Sequence, residues 1–149
     1  MIVAVIDTNV LISGVLGYDR PDSAPGEILR RWSRGDFTLV LSPALLDELQ
    51  DVLSRPYFVD RLSVEQRERA LAAFLAHAEQ TRITMAVQGV APDPDDDHVL
   101  AAVVSSQAEY LVTGDQPLLG LATYDGVKIL SPRAFLDVLL EEKERQQSS

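Results

Sequence analysis

The chain contains no cysteine. Disulfides, thiolate metal sites and cysteine nucleophiles are thereby excluded, and a reducing, cytoplasmic setting is the expectation. With only two histidines and one tryptophan, there is little scope for an imidazole-rich zinc site. His77 and His98 have no partner at ligand spacing, so both are expected to be structural, and Trp32 is most simply core. No apolar run approaches membrane-spanning length, and no membrane contact is expected. The apolar opening, residues 2–6 (IVAVI), is too short for the core of a secretory signal and meets Asp7 at once. Basic charge is also in deficit: 13 Lys and Arg face 23 Asp and Glu, for a net charge of −10. Such a chain has no general attraction for phosphate backbones, which counts against a simple nucleic-acid-binding module. It does not count against a protein that gathers carboxylates around divalent cations, since those ions reverse the field locally.

What is present fits one α/β domain. The 149 residues suffice for one core, with a single domain expected over residues 1–141 and a frayed tail over 142–149. Residues 2–6 form a β-branched run of the kind buried on both faces of a parallel sheet. After a helix opening near Thr8 and Asn9, residues 17–26 (GYDRPDSAPG) read as loop and 27–33 as helix. Residues 37–41 (FTLVL) predict a second strand, and Ser42-Pro43 opens a helix that Pro56 should stop. A capping box at Ser63 and Gln66 predicts an amphipathic helix over 64–80. A strand over 81–87, a helix from Asp93-Pro94 to about 106, strands over 110–113 and 127–130, and a last helix from Ser131-Pro132 to about 140 complete the reading. Strands alternating with helices, with few hairpin signals, indicate a mainly parallel central sheet. Ligands in such folds sit beyond the C-terminal ends of the strands.

If the strands are parallel neighbours, the acids cluster at those ends. Asp7 and Asp115 directly follow strands, Glu48 lies just inside the helix after the second strand, and Asp93, Asp95, Asp96 and Asp97 crowd a helix start. Each has a plain explanation. Aspartates after strands are common turn or cap residues, Glu48 fits a solvated helix face, and the DPDDD run suits a helix N-terminus. Four independent turn acids need not share one sheet edge, however, and their convergence specifies oxygen ligands for a hard cation, Mg²⁺ or Mn²⁺ rather than Zn²⁺.

The segments VIDTNVLIS (5–13), LSPALLDEL (41–49), DPDDDHVLAA (93–102), YLVTGDQPLL (110–119) and ILSPRAFL (129–136) together resemble the PIN-domain family. The likeness is greatest to the VapC-like toxin components of toxin–antitoxin pairs. That resemblance implies a three-layer α/β/α sandwich with metal-binding acids at Asp7, Glu48, the Asp96/Asp97 position and Asp115. Counting back from TGD favours Asp97, whereas a D-x-x-D pairing joins Asp93 to Asp96. Asn9 and Thr113, with Ser13 assisting, match small polar positions that orient ligands or substrate.

The activity implied is hydrolysis of phosphodiester bonds in single-stranded RNA with one or two Mg²⁺ or Mn²⁺ ions. Arg20, Arg30, Arg31, Arg34, Arg55 and Arg61 could contact phosphates, though an ordinary solvated surface explains most of them; Tyr18 and Tyr57 serve stacking or packing equally well. An antitoxin protein and a homodimer, with the helix over 64–80 as a candidate surface, are the implied partners. The main alternative is a catalytically weak PIN-fold protein- or RNA-binding module. A receiver-type phosphotransfer domain is disfavoured because Lys128 begins the last strand rather than ending it. A nuclease acting on DNA is disfavoured by the absence of accessory DNA-binding elements.

Overall fold

The structure is a computed structural model that describes residues 1–83, 87, 89–91 and 96–148. Its centre is the apolar strand β1 (Val3–Ile6), in which Ala4, Val5 and Ile6 are wholly buried. A strand buried on both faces needs partners on both edges, and β1 has them. β2 (Thr38–Leu41) lies parallel on one side, with Val5 opposite Val40. β4 (Tyr110–Val112) lies parallel on the other, with Ile6 opposite Val112. The short strand β3 (Glu79–Gln80) extends the sheet beyond β2. On the far side β6 (Val127–Leu130) runs parallel to β4 and carries β5 (Thr123–Tyr124) as an antiparallel edge. The order is therefore β3-β2-β1-β4-β6-β5, mainly parallel and flanked by helices, which is the three-layer α/β/α class expected.

The helices begin where capping chemistry puts them. In α3 (Pro43–Leu53) Ser42 Oγ accepts from the Leu45 amide at 3.2 Å. In α5 (Val64–His77) Ser63 and Gln66 exchange both hydrogen bonds of a capping box. α1 (Thr8–Leu16) packs on α2 (Ala24–Ser33), and this contact depends on glycine. A Cβ at Gly26 would lie 2.1 Å from the Gly17 carbonyl oxygen, and one at Gly14 2.9 Å from that of Pro25. Arg30 secures the intervening loop by donating to the carbonyls of Tyr18 and, at 3.2 Å, Arg20.

Several boundaries differ from expectation, each for a local reason. α2 starts at Ala24, not 27, because Ser23 caps it and Pro25 fits its first turn. Pro56 ends no helix alone; it also opens α4 (Pro56–Arg61). The third strand is Glu79–Gln80 rather than 81–87, with residues 84–86 outside the described ones and the Thr81 amide continuing the ladder to the Leu41 carbonyl at 2.9 Å. α6 (Asp97–Ser105) has Asp96 as its N-cap, while Asp93 and Pro94, expected to open it, lie outside the described residues. A four-residue helix α7 (Gln116–Leu119) follows β4. α8 (Pro132–Gln147) continues through most of the expected tail, where Glu142 holds Arg145 and Gln146. Among the described residues no helix is long and apolar enough to cross a membrane.

Candidate active site

The register between β1 and β4 sets residue 7 beside residue 113, directly beyond the pair Ile6 and Val112. Asp7 occupies the N-cap position of α1, yet its side chain does not cap that helix. It is 5% exposed, and its Oδ2 accepts instead from the Thr113 hydroxyl at 2.9 Å. The same hydroxyl, wholly buried, accepts from the Asp115 amide at 3.0 Å. One oxygen thus ties the ends of two strands and the loop after β4 together.

Burial pushes the Asp7 carboxyl above the ordinary aspartate range. The Thr113 hydroxyl and the Thr8 amide pull it back, the charge of Glu48 raises it further, and His98 opposes that rise. Asp7, Glu48 and His98 therefore share one electrostatic neighbourhood. Glu48 stands in the second turn of α3, half-buried. Its Oε2 lies 2.9 Å from His98 Nε2, reached across 50 residues from the first turn of α6. A carboxylate oxygen only accepts, so the imidazole donates.

The remaining acids are placed less uniformly. Asp115 accepts from the Leu118 amide at 3.1 Å and caps α7, fulfilling the plain role open to it. Asp97 is turned to the preceding loop, where its two oxygens accept from the amides of Gly89 at 2.9 Å and Ala91 at 2.8 Å. Hydrogen bonding from Ala91 chiefly, with Gly89 and Val90 adding to it against the cost of desolvation, holds the Asp97 carboxyl below its ordinary range. Asp96, half-buried, is the N-cap of α6. Asn9 and Ser13 are exposed on α1. With Asp115, Gln116 and Pro132 they line an open groove of about 550 Å³. A second cavity of about 380 Å³, lined by Val15, Trp32 and Phe74 among others, holds none of these acids.

Most of the arginines are engaged elsewhere. Arg30, Arg31 and Arg34 converge on Glu27, Arg55 pairs with Asp51, and Arg61 covers the Tyr57 ring at 3.5 Å. Trp32 is partly buried and stacks on Phe74 at 5.4 Å between centroids.

Among the described residues no group of three or more acids and histidines is gathered as metal ligands. The donor chemistry nevertheless fits a hard cation. Asp7 is desolvated and further disfavoured as an anion by Glu48, and neither is paired with Lys or Arg among the described residues. Thr8 Oγ1, next in the chain, is buried without a hydrogen-bond partner among them. Oxygen donors short of positive charge are what Mg²⁺ or Mn²⁺ satisfies. The member of this neighbourhood that sequence reasoning assigned only a structural role is His98. Its one signal was position, the residue after the acidic run on a helix opening at the same sheet edge.

A model of the PIN domain matches residues 3–117. No curated protein matches the chain. Among solved structures the chain is similar to the crystal structure of VapBC2 from Rickettsia felis bound to a DNA fragment from their promoter. The identity is 18% and the TM-score 0.53, over 87% of this chain and 98% of that one. A likeness at that identity is one of fold.

Proposed function

The chain belongs to the PIN domain family, and from that premise we propose that it is a metal-dependent endoribonuclease hydrolysing single-stranded RNA, the toxin of a toxin–antitoxin pair. The observation that carries this reading is the state of Asp7: buried at the end of the central strand, held by the Thr113 hydroxyl from the neighbouring strand end, and facing the charge of Glu48. A turn aspartate would lie exposed and cap α1.

Asp7 and Glu48 would hold the cation, with Asp115 and the Asp96/Asp97 position as further ligands in the bound state. When bound, divalent ions lower the pKa of a water, bridge the phosphate and screen the leaving oxygen. Thr113 holds the Asp7 carboxylate in one orientation. Asn9 and Ser13, exposed along the groove beside Asp115, would contact the RNA backbone or a base edge. No side chain here is assigned as a single general base.

One observation favours the second reading, a catalytically weak binding module: both oxygens of Asp97 are taken up by loop amides. The VapBC2 resemblance supports an antitoxin as partner for this chain as well, and an acidic protein suits a cationic segment of that partner. A second copy could dock on α5, where Val64 and Leu75 are exposed.

Cleavage of end-labelled single-stranded RNA in Mg²⁺, Mn²⁺ or EDTA, with Asp7→Asn purified in parallel, tests the proposal. Cleavage abolished by EDTA and by the substitution is the expected result. Equal cleavage by both proteins marks a contaminant, and no cleavage by either favours the binding module.

A further inference from the structure

Glutamate is a poor ligand until something holds it, because its side chain has several rotatable bonds to lose. Ser42 fixes the start of α3 and hence the height of Glu48 above the sheet, but this leaves the carboxylate itself free to swing. Among the described residues, His98 makes the one hydrogen bond to that carboxylate, at 2.9 Å, and both side chains are about one-third exposed (33% and 38%). α6 packs on α3 and on β1, so the helix carrying His98 is registered against both elements that carry the two central acids.

We infer that His98 is a positioning residue: by donating from Nε2 to Glu48 Oε2 it fixes the Glu48 carboxylate beside Asp7 for divalent-cation binding. This rests on the metal-dependent reading above. The imidazole acts through Glu48 and needs no contact with RNA. Hydrogen-bonded partners behind metal ligands commonly change affinity about 10- to 100-fold when removed. The opposite behaviour is also physically available, for a cationic imidazole that merely stood in for the metal would weaken cation binding, and removing it would tighten binding.

The test is direct Mn²⁺ binding to RNA-free protein, followed by the electron paramagnetic resonance signal of free Mn²⁺, with circular dichroism as the check on folding. His98→Phe keeps a ring without a donor, and His98→Gln keeps a side-chain N–H donor. Affinity is expected to fall about tenfold or more in His98→Phe and to recover most of that loss in His98→Gln. His98→Ala replaces His98→Phe if the larger ring disturbs folding. Wild-type affinity in the donor-less variant, tighter binding in it, or equal losses in the Phe and Gln variants would each overturn the inference while leaving the metal reading intact. Absence of Mn²⁺ binding by the wild type would overturn both.

Discussion

The Thr113 hydroxyl donates to Asp7 Oδ2 at 2.9 Å across 106 residues of chain and accepts from the Asp115 amide at 3.0 Å. It is therefore a junction between two strand ends, and its loss should be felt at both. Thr113→Val deprives a buried carboxylate of its side-chain donor and a part-buried amide of its acceptor, a cost of about 1–3 kcal/mol. Urea unfolding should show that loss, and Mn²⁺ binding should weaken. Thr113→Ser keeps the hydroxyl and gives up a buried methyl, about 1 kcal/mol, so it should keep cation binding. Equal binding by the Val and Ser variants would remove Thr113 from the site.

Asp7 makes a prediction in which activity and stability move oppositely. Burial raises its folded pKa, so its contribution to stability is complete below the unfolded value, about 4, and is lost as pH rises through the folded value. Without metal at pH 7 the ionised group weakens the fold. Asp7→Asn should raise the metal-free Tm by roughly 2–4 °C for each kcal/mol relieved, with the gain vanishing below pH of about 4. Cleavage should fall by about 10²–10³-fold, the scale of removing one electrostatic group from a site. Added Mn²⁺ should raise the Tm of wild type alone. A mutant less stable than wild type at pH 7 would contradict this account.

Asp97 and its neighbour Asp96 should separate by readout. Asp97 anchors the loop at Gly89 and Ala91, and its depressed pKa means that its stabilisation is present above pH of about 4 and lost as pH falls through the folded value. Asp97→Asn should therefore lower the urea midpoint at pH 7 and flatten the acid limb of the stability profile. Asp96→Asn should weaken Mn²⁺ binding more than it weakens the fold. The reverse pattern would make Asp97 the principal ligand and Asp96 the structural residue.

Gly26→Ala tests the packing of α1 on α2. The added Cβ would meet the Gly17 carbonyl oxygen at 2.1 Å, a backbone atom that cannot swing aside. A loss of about 1–3 kcal/mol in urea unfolding is expected. Wild-type stability in this variant would show that the two helices can part without cost.

How far the fold was legible depended on how locally each signal acts. The buried strands β1, β2, β4 and β6 announce themselves in β-branched and leucine-rich runs, and Ser42, Ser63 and Ser131 mark helix starts through their own hydrogen bonds. Proline misled because it serves both to stop a helix and to begin one. At Pro25, Pro56 and Pro117 it occupies a first turn. β3 is two exposed residues on a sheet edge and leaves no alternation to read. The β5–β6 hairpin did leave a signal: Asp125 and Gly126 both have positive φ, 51° and 80°, in the two-residue turn that Asp-Gly favours. At the site, Asp7 and Thr113 could be paired from strand ends alone, since parallel register carries one to the other. The Glu48–His98 contact could not, because its geometry depends on how two helices pack, and the diversion of Asp97 to loop amides could not for the same reason.

The central position of β1 has a consequence for the chain as it is being made. β1 hydrogen-bonds to β2, formed early, and to β4, formed late, and only the second pairing brings Thr113 against Asp7. A nascent chain that has not yet emerged past Thr113 holds Asp7, Asn9 and Glu48 but lacks the strand that completes the floor beneath them. The site is thus assembled only once β4 and Thr113 have been made, and a fragment that stops short of them lacks the hydroxyl that holds Asp7.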